Sequence, residues 1–178
     1  MPSYATQIPV NLRPAQPKDR KNVFTWLVDA YAGPFFCTEE APPTWEEFCA
    51  DYQDLFFDGS APDKGRVFII TQQGEDIGAV SYDARFREPK QADLDIWLAR
   101  ENLCGRGRGG MALQQLAGVL KQTLGLKRLN ICPCGNNTRA VRAYEKAGFK
   151  RLDLPKPELQ RRFGPLDCSH AIVMLQDL

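Results

Sequence analysis

The stretch Ala92-Asp93-Leu94-Asp95-Ile96-Trp97-Leu98, followed closely by Cys104-Gly105-Arg106-Gly107-Arg108-Gly109-Gly110, decides how this chain folds. Its first half alternates. Leu94, Ile96 and Leu98 fall on one face and Asp93, Asp95 and Trp97 on the other, the period of a strand. Its second half is glycine-rich and opens a helical pattern from about Gly107 to Leu124. There Leu113, Leu116, Ala117, Leu120 and Leu124 recur at helical spacing. Lys127 to Cys132 forms another short strand pattern. Strand, glycine loop, helix, strand is a βαβ unit, so segments 92–98 and 127–132 are expected as parallel neighbours.

Working outward, Val10 to Arg13 predicts a short strand, and Asp19 precedes a helix with Val23, Phe24, Leu27 and Val28 on one face. That helix should stop near Gly33-Pro34. Thr44 with Glu47 three residues on makes a capping box, starting a second helix expected to run to about Phe57 and end at Asp58-Gly59. Val67–Thr71 and Ile77–Tyr82 flank the turn Gln73-Gly74-Glu75-Asp76, which predicts a hairpin. Beyond the βαβ unit, Asn137 to Ala147 is a helix closed by Gly148. Phe149–Leu154 and Ala171–Leu175 are expected as final strands, separated by a polar loop from Pro155 to Asp167. The class is α/β, or α+β: one domain over residues 1–178, with helices packed on a mixed central sheet.

The 178 residues are 43% apolar and 25% charged, ordinary for a globular domain able to bury a core. No uninterrupted apolar run approaches a membrane span. Met1 to Val10 lacks a basic patch followed by an apolar run, so a cytoplasmic location is expected. The six cysteines, Cys37, Cys49, Cys104, Cys132, Cys134 and Cys168, are expected as thiols. Cys132-Pro133-Cys134 lacks zinc-type spacing and a second such pair, so no metal is expected.

A net charge of +1 argues against a nucleic-acid partner. The distribution of charge says more. Asp29 to Asp63 holds nine acids (Asp29, Glu39, Glu40, Glu46, Glu47, Asp51, Asp54, Asp58, Asp63) and no Lys or Arg. Asn102 to Tyr144 holds Arg106, Arg108, Lys121, Lys127, Arg128, Arg139 and Arg142 and no acid. One region would attract a cation, the other an anion.

The glycine loop opening a helix suits an anion, because glycine lets backbone N–H groups approach and the helix N-terminus favours negative charge. Gly105-x-Gly107-x-x-Gly110 has the spacing of a dinucleotide fingerprint. The acid required about 20 residues on is missing, since the next acid is Glu145. No Gly-Lys-Ser/Thr follows either, which excludes a Walker loop. A phosphate-rich ligand of another kind remains.

Leu98 through Leu113 resembles motif A of the GCN5-related N-acetyltransferases, with Gly107 and Gly109 at the glycine positions. Asn137-Thr138-Arg139-Ala140-Val141-Arg142-Ala143-Tyr144-Glu145-Lys146-Ala147-Gly148-Phe149 resembles that family's motif B. Leu12-Arg13-Pro14-Ala15 is similar to its first strand. Three positions depart from the pattern: Cys104 where Gln or Arg is usual, Arg108 where an apolar residue is common, and Gly110 where another small residue is frequent.

The resemblance implies a sheet of about six or seven strands flanked by about four helices, with acetyl-CoA as acetyl donor and no metal. The donor would lie on Leu98, Ala99, Cys104, Gly105, Arg106, Gly107, Arg108, Gly109 and Gly110, with Asn137, Ala140 and Tyr144 from the following helix. Tyr144 is implied as the general acid for the departing thiolate. Asp95 is similar to the acid found here in aminoglycoside 6′-N-acetyltransferases and is the candidate base, with Asp93 as the alternative residue and a water chain, as in many members of the family, as the alternative to a single base. Asp93, Trp97, Tyr31 and Trp45 are candidate acceptor contacts.

The acidic stretch from Glu39 to Asp58, with Phe35, Phe36 and Tyr52 nearby, suggests a cationic small amine such as an aminoglycoside or polyamine. Two readings stand beside it: a protein N-terminal or lysine amine as acceptor, as in the ribosomal-protein branch, and a non-catalytic acyl-CoA-binding module. No membrane partner is expected, and a homodimer is left open.

Overall fold

The computed structural model describes residues 8–31, 41–166 and 169–178. Seven strands form one sheet in the order β1-β2-β3-β4-β5-β7-β6. They are β1 (Asn11–Pro14), β2 (Gly65–Gln72), β3 (Glu75–Asp83), β4 (Gln91–Leu98), β5 (Arg128–Ile131), β6 (Lys150–Arg151) and β7 (Met174–Asp177). Among the described residues there are six α-helices: α1 (Arg20–Tyr31), α2 (Trp45–Asp51), α3 (Leu55–Asp58), α4 (Arg108–Leu124), α5 (Thr138–Ala147) and α6 (Lys156–Phe163). That is two more than the expected four.

The sheet is mixed because β4 and β5 run parallel while every other neighbouring pair is antiparallel. Each face buries its own apolar cluster. Ile70, Val80 and Leu94 pack with Leu113, Leu116 and Leu120 of α4. Ile69, Ala79 and Trp97 pack with Val23 and Leu27 of α1 and with Phe48, Phe56 and Phe57 of α2 and α3. Alternate strand residues therefore serve opposite cores, as the period-two pattern requires. A side chain of this size contributes about 1.5–3 kcal/mol when fully buried.

Several expected features hold. Thr44 accepts from the Glu47 N–H at 3.2 Å and Glu47 Oε2 accepts from the Thr44 N–H at 2.7 Å, which closes the capping box of α2. The β2–β3 hairpin turns tightly on Gln73 and Gly74, both at positive φ (52° and 85°). Gly148 ends α5 in the left-handed region at φ 105°.

Three expectations change. The helix predicted from Thr44 to Phe57 is two helices, broken at Tyr52 (φ −97°, ψ 71°). The break is compensated by Arg20, whose guanidinium donates to the carbonyls of Cys49 and Tyr52 at the end of α2. The polar loop after Pro155 contains α6, which starts with a proline in its first turn and carries ion pairs from Glu158 to Arg161 and Arg162. The last two strands are shorter than predicted, and Ala171 makes only an isolated bridge to Cys134. The predicted stop at Gly33-Pro34, with Phe35, Phe36, Cys37, Glu39, Glu40 and Cys168, lies outside the described residues.

Candidate active site

The parallel pair is the key to the site. β4 and β5 are in register only at Gln91↔Arg128, Ala92↔Leu129 and Asp93↔Asn130. From Leu94 onward β4 has no β5 partner, and a cleft of about 1570 Å³ opens between the two strand ends. The Ala99 N–H is taken by the Ile77 carbonyl of β3 at 2.9 Å. Antiparallel pairing alternates direction along a strand, so the backbone groups of Leu98 and Ile96, and not the Ala99 N–H, face the opening. The close approach of β3 here needs a glycine. A Cβ on Gly78 would lie 2.5 Å from the Trp97 carbonyl oxygen and 2.9 Å from Leu98 Cα.

The glycine loop forms one end of the cleft. Gly105 and Gly107 hold φ of 76° and 78°, and Gly107 caps the N-terminus of α4. The first helical bond runs from Met111 N to Gly107 O at 3.0 Å, so the N–H groups of Arg108, Gly109 and Gly110 have no partner within the helix. No acid lies in this first turn. Arg106 is exposed beside it. Arg139 of α5 lies across the loop, its Cδ 3.7 Å from where a Cβ on Gly105 would stand. Arg142 and Lys146 line the same end. Exposed backbone donors, an unopposed helix N-terminus and these cations fit a pyrophosphate-bearing ligand.

Arg108 does something the sequence did not suggest. Its Nε donates to Gln72 Oε1 at 2.7 Å and its Nη1 to the Leu103 carbonyl at 3.1 Å, which ties the loop to β2. Its backbone faces the cleft while its charge is turned back into the protein. Cys104 is half-buried, and burial pushes its thiol up, so it is a poor nucleophile at neutral pH. Asn137 lines the cleft, and its Oδ1 accepts the Ala140 N–H at 3.1 Å, capping α5.

Tyr144 and Asp95 both line the cleft. The Tyr144 hydroxyl is pushed well above its usual range, first by burial and then by the negative potential of Asp95. It therefore carries its proton at neutral pH, as a proton donor must. Asp95 lies one pleat past the last β4–β5 pair, and its Oδ2 accepts from the Tyr52 hydroxyl at 3.0 Å. Sequence reasoning placed Tyr52 among the aromatics near the acceptor end but did not foresee its bond to Asp95. Asp29 and Tyr31 of α1 and Asp51 of α2 line this end of the cleft, so it is acidic where the other end is basic.

The other acceptor candidates divide. Tyr31 and Trp97 line the cleft. Trp97 is anchored as a wall, with its indole N–H donating to the Val23 carbonyl at 3.3 Å. Asp93 does not line it. Both carboxylate oxygens receive Arg87 Nε, at 2.8 and 2.7 Å, and Asn130 Nδ2 adds a bond at 3.1 Å. Trp45 also lies outside, packed edge-on against Phe24 at 5.2 Å. Part of the acidic stretch is occupied elsewhere: Asp54 pairs with Arg20, and Asp58 accepts from the Ser60 N–H. None of residues 155–166 lines the cleft. Arg87 holds α6 away from it by donating to the carbonyls of Arg162 and Phe163. Among the described residues no group of three or more His, Cys, Asp or Glu is placed to hold a metal, and no helix is long and apolar enough to cross a membrane.

Residues 10–150 match the acetyltransferase (GNAT) domain. The chain belongs to the GNAT family of N-acetyltransferases. It is 29% identical over 153 residues to aminoglycoside N(6′)-acetyltransferase type 1 of Klebsiella pneumoniae, covering 80% of this chain and 74% of the relative. Among solved structures, AAC(6′)-Ib in complex with ribostamycin and coenzyme A superposes with a TM-score of 0.69 at 24% identity, over 95% of this chain and 93% of that one. RimL, the ribosomal L7/L12 α-N-protein acetyltransferase, in complex with coenzyme A, superposes with a TM-score of 0.71 at 19% identity, over 96% and 94%. These two share the GNAT fold with this chain.

Proposed function

We propose that this GNAT enzyme moves an acetyl group from acetyl-CoA to a primary amine on a small polycation of the aminoglycoside or polyamine kind. The observation that carries the reading is the polarity of one continuous cleft. Its α4 end presents the glycine loop with Arg106, Arg139, Arg142 and Lys146, and its α1–α2 end presents Asp29, Asp51 and Asp95. Each end suits one substrate, and Tyr144 and Asp95 line the space they share.

Acetyl-CoA supplies the acyl group as a thioester. The N–H groups of Arg108, Gly109 and Gly110 with Arg139 would hold its pyrophosphate, and the exposed edge of Leu98 its pantetheine arm. The carboxylates at the other end draw in the ammonium form of the acceptor. Asp95 takes a proton from that ammonium, which frees the nitrogen lone pair for attack on the thioester carbonyl. As the C–S bond breaks, Tyr144 would give its hydroxyl proton to the departing sulfur and take one from the acylated nitrogen, which leaves a neutral amide and a neutral tyrosine. A peptide N-terminus presents one charge where this end of the cleft offers four carboxylates, Asp29, Glu47, Asp51 and Asp95, which favours the polycation.

The test is a mass-spectrometric screen for acetyl transfer from acetyl-CoA to ribostamycin, spermidine and an N-terminal peptide. The expected result is one added acetyl group on a polycation. Transfer to the peptide alone would replace the acceptor class. Binding of acetyl-CoA without transfer to any amine would favour a binding module.

A further inference from the structure

We propose that Tyr52 is a positioning residue for acetyl transfer, holding the Asp95 carboxylate in place and in its anionic form through a single hydrogen bond. This rests on the reading of Asp95 as the base. Tyr52 acts through Asp95.

The two residues are 43 apart in the chain, and the Tyr52 hydroxyl donates to Asp95 Oδ2 at 3.0 Å. Behind it stands Ser81, buried in β3 and paired directly with Asp95 of β4. Ser81 favours the Tyr52 phenolate against burial and Asp95, the effect of a donor directed at the phenol oxygen, while the Tyr52 hydroxyl itself donates to Asp95. Aromatic rings fix the Tyr52 ring. Phe48 stacks on it at 5.0 Å, and Phe56 and Trp97 meet it edge-on at 5.5 and 5.9 Å. A ring already immobilised loses little further freedom in making the bond.

The backbone is arranged for the same contact. α2 stops one residue before Tyr52, the chain leaves helical geometry at that residue, and Arg20 takes its carbonyl.

Other carboxylates share this end of the cleft with Asp95. Asp29 on α1 and Glu47 and Asp51 on α2 share the cleft with it. On its own strand, Asp93 is neutralised by Arg87. Arg20 is engaged by the Tyr52 carbonyl and Asp54, and Arg85 is turned onto Asp83 of β3 at 2.7 Å. From α5, Tyr144 contributes a neutral hydroxyl. A hydroxyl that donates to a carboxylate favours its anionic form, and the Tyr52 hydroxyl is placed to do this for Asp95.

The experiment is a carboxyl ¹³C NMR titration of the full chain and its Tyr52→Phe variant, with Asp95→Asn identifying the Asp95 resonance. It is paired with pH profiles of kcat/KM using ribostamycin as acceptor. In Tyr52→Phe the Asp95 midpoint should rise by about one pH unit, and the acidic limb of the profile should rise with it while KM for acetyl-CoA stays the same. An unmoved midpoint overturns the proposal and leaves the base reading standing. A midpoint that rises while the limb stays put overturns the base reading, and Tyr52's part in the reaction with it. Ser81→Ala provides a second variant should Tyr52→Phe fold poorly. It should move the same midpoint up by less, and no movement there also counts against the proposal.

Discussion

Tyr144 and Gly78 show two ways in which one residue decides this site. Burial and Asp95 hold the Tyr144 proton in place, so the hydroxyl stays loaded through the pH range in which an amine acceptor reacts. Tyr144→Phe should lower kcat by about 10²-fold or more while leaving acetyl-CoA binding by calorimetry unchanged. Because the Tyr144 pKa is raised, the wild-type kcat should show no alkaline fall from loss of this proton below about pH 10. An alkaline limb below that pH, absent from Tyr144→Phe, would contradict the assignment. Gly78 has no role in chemistry but lets β3 come close to the bend at Trp97 and Leu98. Gly78→Ala should cost about 1–3 kcal/mol in urea unfolding, and it should raise KM for acetyl-CoA more than it lowers kcat, because the displaced backbone borders the cleft.

Elements place these residues, and side chains from distant strands hold the elements. The glycine loop is the clearest case. Gly105 and Gly107 supply its left-handed geometry, but Arg108 ties it to Gln72 of β2, 36 residues away in sequence, and to the Leu103 carbonyl. A lysine keeps the charge and loses the fork that makes both bonds. Arg108→Lys should therefore raise KM for acetyl-CoA by about tenfold, the scale of one lost hydrogen bond, with kcat little changed. An unchanged KM would mean that the glycines alone set the loop. The same logic explains a missed boundary. Trp45 to Phe57 has the composition of one helix, yet it breaks at Tyr52 because Arg20 caps the first segment and Asp95 draws the tyrosine outward.

At the scale of the molecule, the sheet puts opposite charges at the two ends of one cleft. On the proposed reading a polycation would be drawn by the summed field of Asp29, Glu47, Asp51 and Asp95, which acts through water and is screened by salt. Raising ionic strength from about 0.05 to about 0.5 M should raise KM for a polycationic acceptor several-fold and change KM for a singly charged peptide far less. Equal sensitivity of the two would remove the support that the acidic end gives to the substrate class.

Local pattern alone established the parallel βαβ unit, the glycine loop that opens α4, the helix α5 closed by Gly148, and the facing of Asp95 on its strand, because each depends on spacing within a few turns or pleats. Tertiary structure decided what spacing cannot. Asp93 and Asp95 share a face, and the alternation treats them alike. Asp93 lies where β4 still pairs with β5 and is closed off by Arg87 and Asn130, whereas Asp95 lies just past the divergence and opens into the cleft. Arg108 matched the anion site by position and turned its charge away, while Arg139, outside the loop, lies across it. Tyr52 meets Asp95 only because α2 stops above β4. Direction along a strand or helix is a local property, but partners 36 or 43 residues apart are set by where the sheet brings the chain back.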